Sequence, residues 1–182
     1  VSTASVTIAG SGTVTGPQIG CPTDCLGTYN HGTSVTLTQL AGSGYRFTGR
    51  SGGTCTGINA CVVPMDMARA VTATFTPIFP LNVTIAGSTG TVTSNVAGIN
   101  CPTDCSEDYL NTATVILTAT GTNGATFGSW TGCPTVAGNT CTVAMSQARN
   151  VTATFNPPTF LLTAAFMLAA NYGFYSSFKH QE

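Results

Sequence analysis

The chain has 182 residues, 42% hydrophobic and only 6% charged, with a formal net charge of −1 and eight cysteines. That is long enough for one ordinary domain or two small ones, and apolar enough for a packed core, which excludes disorder throughout. Five basic residues in the whole chain leave no clustered Lys/Arg footprint, which argues against nucleic-acid binding.

In chain order, short β-branched segments with alternating apolar residues, bounded by Gly, Asn or Pro, predict strands near 5–10, 12–16, 33–40, 45–49, 61–65 and 70–76. A single helical turn around Met65 to Arg69 is compatible with the pattern. The series then starts again. SVTIAGSGTVTG (5–16) returns as NVTIAGSTGTVTS (82–94), CPTDC (21–25) as CPTDC (101–105), and ARAVTATFTP (68–77) as ARNVTATFNP (148–157). Cys21 to Cys101, Cys61 to Cys141 and Phe75 to Phe155 are each 80 positions apart, so the chain is a tandem duplication. The fold class expected is all-β: two tandem, small, disulfide-stapled β-repeat domains, 1–77 and 78–157, with a hydrophobic C-terminal segment over 158–182.

The order of elements in each copy resembles the divergent internalin-B-type bacterial repeat: VTI, GTVT, CxxDC, a Tyr, TxVTLT, a Phe before a glycine-flanked element, a second Cys pair, then M, AR and VTATF. The resemblance covers roughly 5–156 and implies a small extracellular β-rich repeat, sandwich-like or β-grasp-like, found in tandem in surface and secreted bacterial proteins. It implies no catalytic residues. The first copy departs from the second where Arg50 stands opposite Trp130.

The cysteines fall in four close pairs, Cys21 with Cys25, Cys55 with Cys61, Cys101 with Cys105 and Cys133 with Cys141, which points to an oxidising compartment outside the cell. Pairing within each is the simplest connectivity, although four cysteines per copy allow three. A metal site built on Cys21, Cys25 and His31 is disfavoured because Asn111 takes the place of His31 in the second copy. A redox role is disfavoured by CxxxC spacing in a Thr-rich β unit. No charged leader with an apolar core opens the sequence, so Val1 reads as the start of a mature form or an excised piece.

Of the eleven charged residues, only Asp24/Asp104 and Arg69/Arg149 recur at matching positions. One carboxylate per copy is too few for calcium or for paired acid–base chemistry, so these are expected to be structural, the Asp accepting backbone N–H groups in the Cys loop with the Arg near it. Two histidines, one of them in the tail, and no GxSxG, Walker or GxGxxG element argue against an enzyme, and no cofactor is expected. Two Asn-Val-Thr sequons, at Asn82 and Asn150, fall at strand starts.

The tail begins like a third copy and then fails to match. As a strand, PTFLLTAAF (158–166) would leave an edge needing a partner, which makes β-augmentation between copies the expected use and a head-to-tail fibre its consequence. As a helix, Thr159 would cap Phe160 to Tyr172, with Gly173 closing it. Phe160, Leu161, Leu162, Phe166, Met167, Leu168, Tyr172, Phe174 and Tyr175 are the candidate assembly residues. Membrane anchoring through this segment is the next reading, marginal because Pro157 and Pro158 leave fewer than about 20 apolar residues.

The function expected is a non-enzymatic extracellular structural subunit whose partners are copies of itself. The alternative is an adhesin or carbohydrate-binding module of a larger surface protein, stacking glycans on Trp130, Tyr45 and Tyr109. An ice-binding face of recurring outward threonines is a third, weakened by having only two copies.

Overall fold

The computed structural model describes residues 1–159, and all of its regular structure is β. The first repeat contributes β1 (Ser2–Ala9), β2 (Gly12–Gly16), β3 (Ile19–Cys21), β4 (Leu26–Tyr29), β5 (Ser34–Ala41), β6 (Tyr45–Ser51) and β7 (Cys61–Pro64). A long strand, β8 (Arg69–Gly87), closes the first repeat and opens the second. The second continues with β9 (Gly90–Ser94), β10 (Asn100–Cys101), β11 (Ser106–Leu110), β12 (Thr114–Gly121), β13 (Thr126–Thr131), β14 (Thr135–Ala137), β15 (Thr140–Ala144) and β16 (Arg149–Asn156).

Each repeat is two sheets over one core. In the first, β6, β8, β1 and β4 form one layer and β3, β2, β5 and β7 the other. The alternation of VTATF puts Val71, Ala73 and Phe75 inside, against Val14, Val35, Leu37 and Val63 from the facing sheet, while Thr72, Thr74 and Thr76 lie on the outer face. The second repeat repeats this with β13, β16, β8 and β11 over β10, β9, β12, β15 and β14, burying Val151, Ala153 and Phe155 against Val92, Val115, Leu117 and Val143. In both, the first strand pairs in parallel with the last, β1 with β8 and β8 with β16, and every other strand pairing is antiparallel.

Residues 65–69 form bends and the start of β8 rather than a helical turn, and with no helix among the described residues the repeats are sandwich-like rather than β-grasp-like. The boundary between the repeats at 77/78 falls inside one strand: β8 runs 19 residues through it, a span of roughly 60 Å at strand rise. Pro77 and Pro80 are tolerated inside this strand because each falls in a gap between neighbours. On one side of β8 the pairing of β1 ends at Thr74 and that of β11 starts at Ile78, leaving Pro77 unpaired on that side; on the other, that of β6 ends at Pro77 and that of β16 starts at Leu81, leaving Pro80 unpaired there.

Candidate functional site

The four cysteine pairs are bonded locally, Cys21–Cys25, Cys55–Cys61, Cys101–Cys105 and Cys133–Cys141, at sequence separations of 4, 6, 4 and 8. Each CPTDC segment is a closed turn beginning with a cis proline peptide. Gly20 and Asp24 exchange both main-chain hydrogen bonds, as do Asn100 and Asp104. The Asp24 carboxylate accepts the N–H of Leu26 at 3.3 Å, and that of Asp104 accepts the N–H of Ser106 at 3.4 Å. Both carboxylates therefore serve as turn acceptors, the same role in both copies.

The arginines do not join them. Arg69 donates to Asp66 Oδ1 at 2.5 Å and to the Pro64 carbonyl at 3.2 Å. That hydrogen bond is the main cause holding the Asp66 carboxyl below its usual range, with the Arg69 charge adding to it. In the second copy Ser146 stands where Asp66 does, so Arg149 has no corresponding ion pair.

Arg50, at 5% exposure, is the one buried charged residue among those described. No carboxylate accompanies it. Its guanidinium donates to the carbonyls of Asn59 (2.8 Å) and Leu37 (3.2 Å) and to Gln39 Oε1, and burial lowers its pKa from the usual guanidinium value. It ties the 52–60 loop to β5, whereas the second repeat replaces that loop with β14, paired to β15.

The repeats meet at the centre of β8. The trans peptide between Pro77 and Ile78 is bonded in both directions: its C=O accepts the N–H of Asn111 from the second repeat, and its N–H donates to the Gly44 carbonyl of the first, both at 2.9 Å. C=O and N–H of one trans peptide point opposite ways, so the repeats grip β8 from opposite sides. Arg46 of β6 reaches across to donate to the main-chain oxygen of Asp108 at 2.8 Å, with Glu107 at 3.7 Å.

Of the aromatics, Tyr109 is buried at 4% exposure and so presents no stacking face, while Tyr45 and Trp130 are half-buried, Trp130 against Phe127. The sequon asparagines lie side by side, Asn82 Nδ2 donating to Asn150 Oδ1 at 3.0 Å. An open cleft of about 390 Å³ near the start of β9, lined by residues such as Ile85, Thr89, Pro102 and Asn123, contains no charged side chain. Among the described residues no group of three metal-ligating side chains occurs, and no helix is long and apolar enough to cross a membrane. The candidate assembly residues Phe160, Leu161, Leu162, Phe166, Met167, Leu168, Tyr172, Phe174 and Tyr175 lie outside the described residues.

Sequence reasoning missed Arg46 and the Pro77–Ile78 peptide. The signal available was asymmetric charge: Arg46, Glu107 and Asp108 have Thr126, Gly27 and Thr28 as counterparts, so they serve something the copies do not share.

The family model described as divergent InlB B-repeat domain matches residues 2–79 and again 81–159. No curated protein matches the chain. Tandem repeats of this kind, with four intramolecular disulfides, point to an extracellular or cell-surface protein. On these matches, which between them take in both repeats, the chain belongs to the divergent InlB B-repeat domain family.

Proposed function

We propose that this chain is a non-enzymatic structural subunit of an extracellular surface fibre, with its two repeats as a stiff spacer and its contacts made by strand edges and the apolar C-terminal segment. The observation that carries this reading is the distribution of charge over sheet edges. The edge strands β6 and β11 expose Arg46, Glu107 and Asp108, and both flank the internal junction. The edges on the far sides, β4 (LGTY) and β13 (TFGSWT), carry no charge at all. Uncharged edges lack the usual defence against pairing with another chain, which a fibre subunit uses rather than avoids.

The covalent path through the spacer runs along one strand, so the two repeats transmit tension without a flexible linker between them. Negative-stain microscopy tests the reading. Fibres from the full chain and none from a chain ending at Asn156 support it; particles of single-chain size from both defeat it.

A second reading, an adhesin or carbohydrate-binding module of a larger surface protein, draws on the partly exposed rings of Tyr45 and Trp130. A glycan array with the native chain and the Trp130→Ala variant separates it from the first. Binding lost in the variant favours the adhesin, and no binding to any glycan removes it.

A further inference from the structure

We infer that Arg46 and the Pro77–Ile78 peptide lock the two repeats into a single cooperative unit, and that the outer end of the second repeat lacks the parts of this lock. The inference concerns folding and orientation and stands whether or not the chain forms fibres.

Three features of the junction act together. The inward residues of β8 belong to two cores, Val71, Ala73 and Phe75 to the first and Leu81 and Val83 to the second, so neither core can lose its β8 segment without pulling on the other. The Pro77–Ile78 peptide has both its polar groups bonded, one to each repeat. Arg46 spans β8 from one repeat to the main chain of the other. A flexible linker would let the sheets open separately; this strand is bonded from both sides at the crossing point.

The corresponding positions elsewhere in the chain lack part of this arrangement. At the end of the second repeat, Pro158 replaces Ile78 and has no N–H to offer the carbonyl of Gly124, the counterpart of Gly44. Thr126 replaces Arg46, and β16 stops at Asn156 instead of running on. At the start of the first repeat, Gly27 and Thr28 replace Glu107 and Asp108, so the carboxylate beside Arg46 has no counterpart there. The outer end of the second repeat therefore lacks both the donor N–H and the arginine that hold the internal junction.

The test uses the full chain, because the single tryptophan, Trp130, reports on the second repeat alone. Val35, fully buried in the first repeat on a strand that pairs with neither β11 nor β16, is changed to alanine to weaken that repeat directly. Urea unfolding is followed by Trp130 fluorescence and, for each repeat, by amide hydrogen exchange. The inference predicts that Val35→Ala lowers the Trp130 midpoint together with the protection of the first repeat. It also predicts that this transmitted shift disappears when Arg46→Thr and Ile78→Pro, which copy the outer end of the second repeat, are added. Should the double change prevent folding, Arg46→Thr alone is expected to shrink the transmitted shift. A Trp130 midpoint that ignores Val35→Ala in the otherwise native chain overturns the inference. A transmitted shift that survives the junction changes undiminished overturns the roles given to Arg46 and Ile78.

Discussion

Arg50 and Trp130 hold the same place in the two repeats, Arg50 opposite Ala73 and Trp130 opposite Ala153, each packed on the phenylalanine three residues before it. The guanidinium lies 4.9 Å from the Phe47 ring centroid, and the rings of Trp130 and Phe127 are 5.5 Å apart. One repeat thus fills a site with an indole that the other fills with a buried cation resting on carbonyl dipoles. Removing the cation strands its acceptors. Arg50→Met, which keeps much of the stem volume, leaves Asn59 O, Leu37 O and Gln39 Oε1 without their donor, at a cost of about 1–3 kcal/mol for such a group. Equilibrium urea unfolding measures this, and a stability equal to that of the native chain would refute the account of Arg50 as a structural tie.

Glycine in the GTVT segment has a steric cause common to both copies. A Cβ on Gly90 would stand 2.4 Å from the Phe155 ring, and one on Gly12 would stand 2.6 Å from the Phe75 ring. Both rings are almost wholly buried and have nowhere to retreat. Gly90→Ala is expected to destabilise the second repeat by about 1–3 kcal/mol through overpacking, read as an earlier Trp130 transition.

Alkaline pH acts on the first repeat through Tyr29. Burial, and secondarily the negative charge of Asp24, raise its pKa above the ordinary phenol value, and its hydroxyl donates to the Pro17 carbonyl. A raised folded-state pKa means that the stabilisation is whole below about pH 10, where unfolded tyrosine begins to ionise, and is lost as pH climbs through the higher folded value. Tyr29→Phe should cost about 1 kcal/mol at neutral pH for the lost hydrogen bond and flatten the alkaline limb of the first repeat's stability. Hydrogen exchange at neutral pH and urea midpoints up to pH 11 measure the two parts.

The local disulfides close loops of a few residues, so each constrains the unfolded chain by only about 2 kcal/mol. Cys55→Ala with Cys61→Ala should lower stability by at least that amount, since both sulfurs are buried in the first core and alanine adds no hydroxyl there that would need a partner. Denaturant unfolding of the oxidised variant checks the size of the loss, and circular dichroism the retention of β structure.

Much of the fold is legible in the sequence because duplication prints each signal twice. The alternation of VTATF, the GTVT segment and the close cysteine pairs all lead to elements found at those places. What escapes sequence reading has a physical reason in each case. The strands beside the CPTDC turns, β3, β4 and β10, are two to four residues long, too short for a period of two to register. The continuity of β8 is hidden by Pro77 and Pro80, which read as breaks until the register places each in a gap between neighbouring strands. Burial of Arg50 depends on three acceptors from two segments, β5 and the 52–60 loop, which no local pattern carries.

The central claim, that this repeat pair is a subunit assembling through its apolar C-terminal segment, is met most directly by sedimentation velocity of the full chain and of a chain ending at Asn156 over a range of concentrations. The account predicts large, concentration-dependent species from the full chain and a single monomer boundary from the shortened one. A monomer boundary from both at every concentration would contradict it.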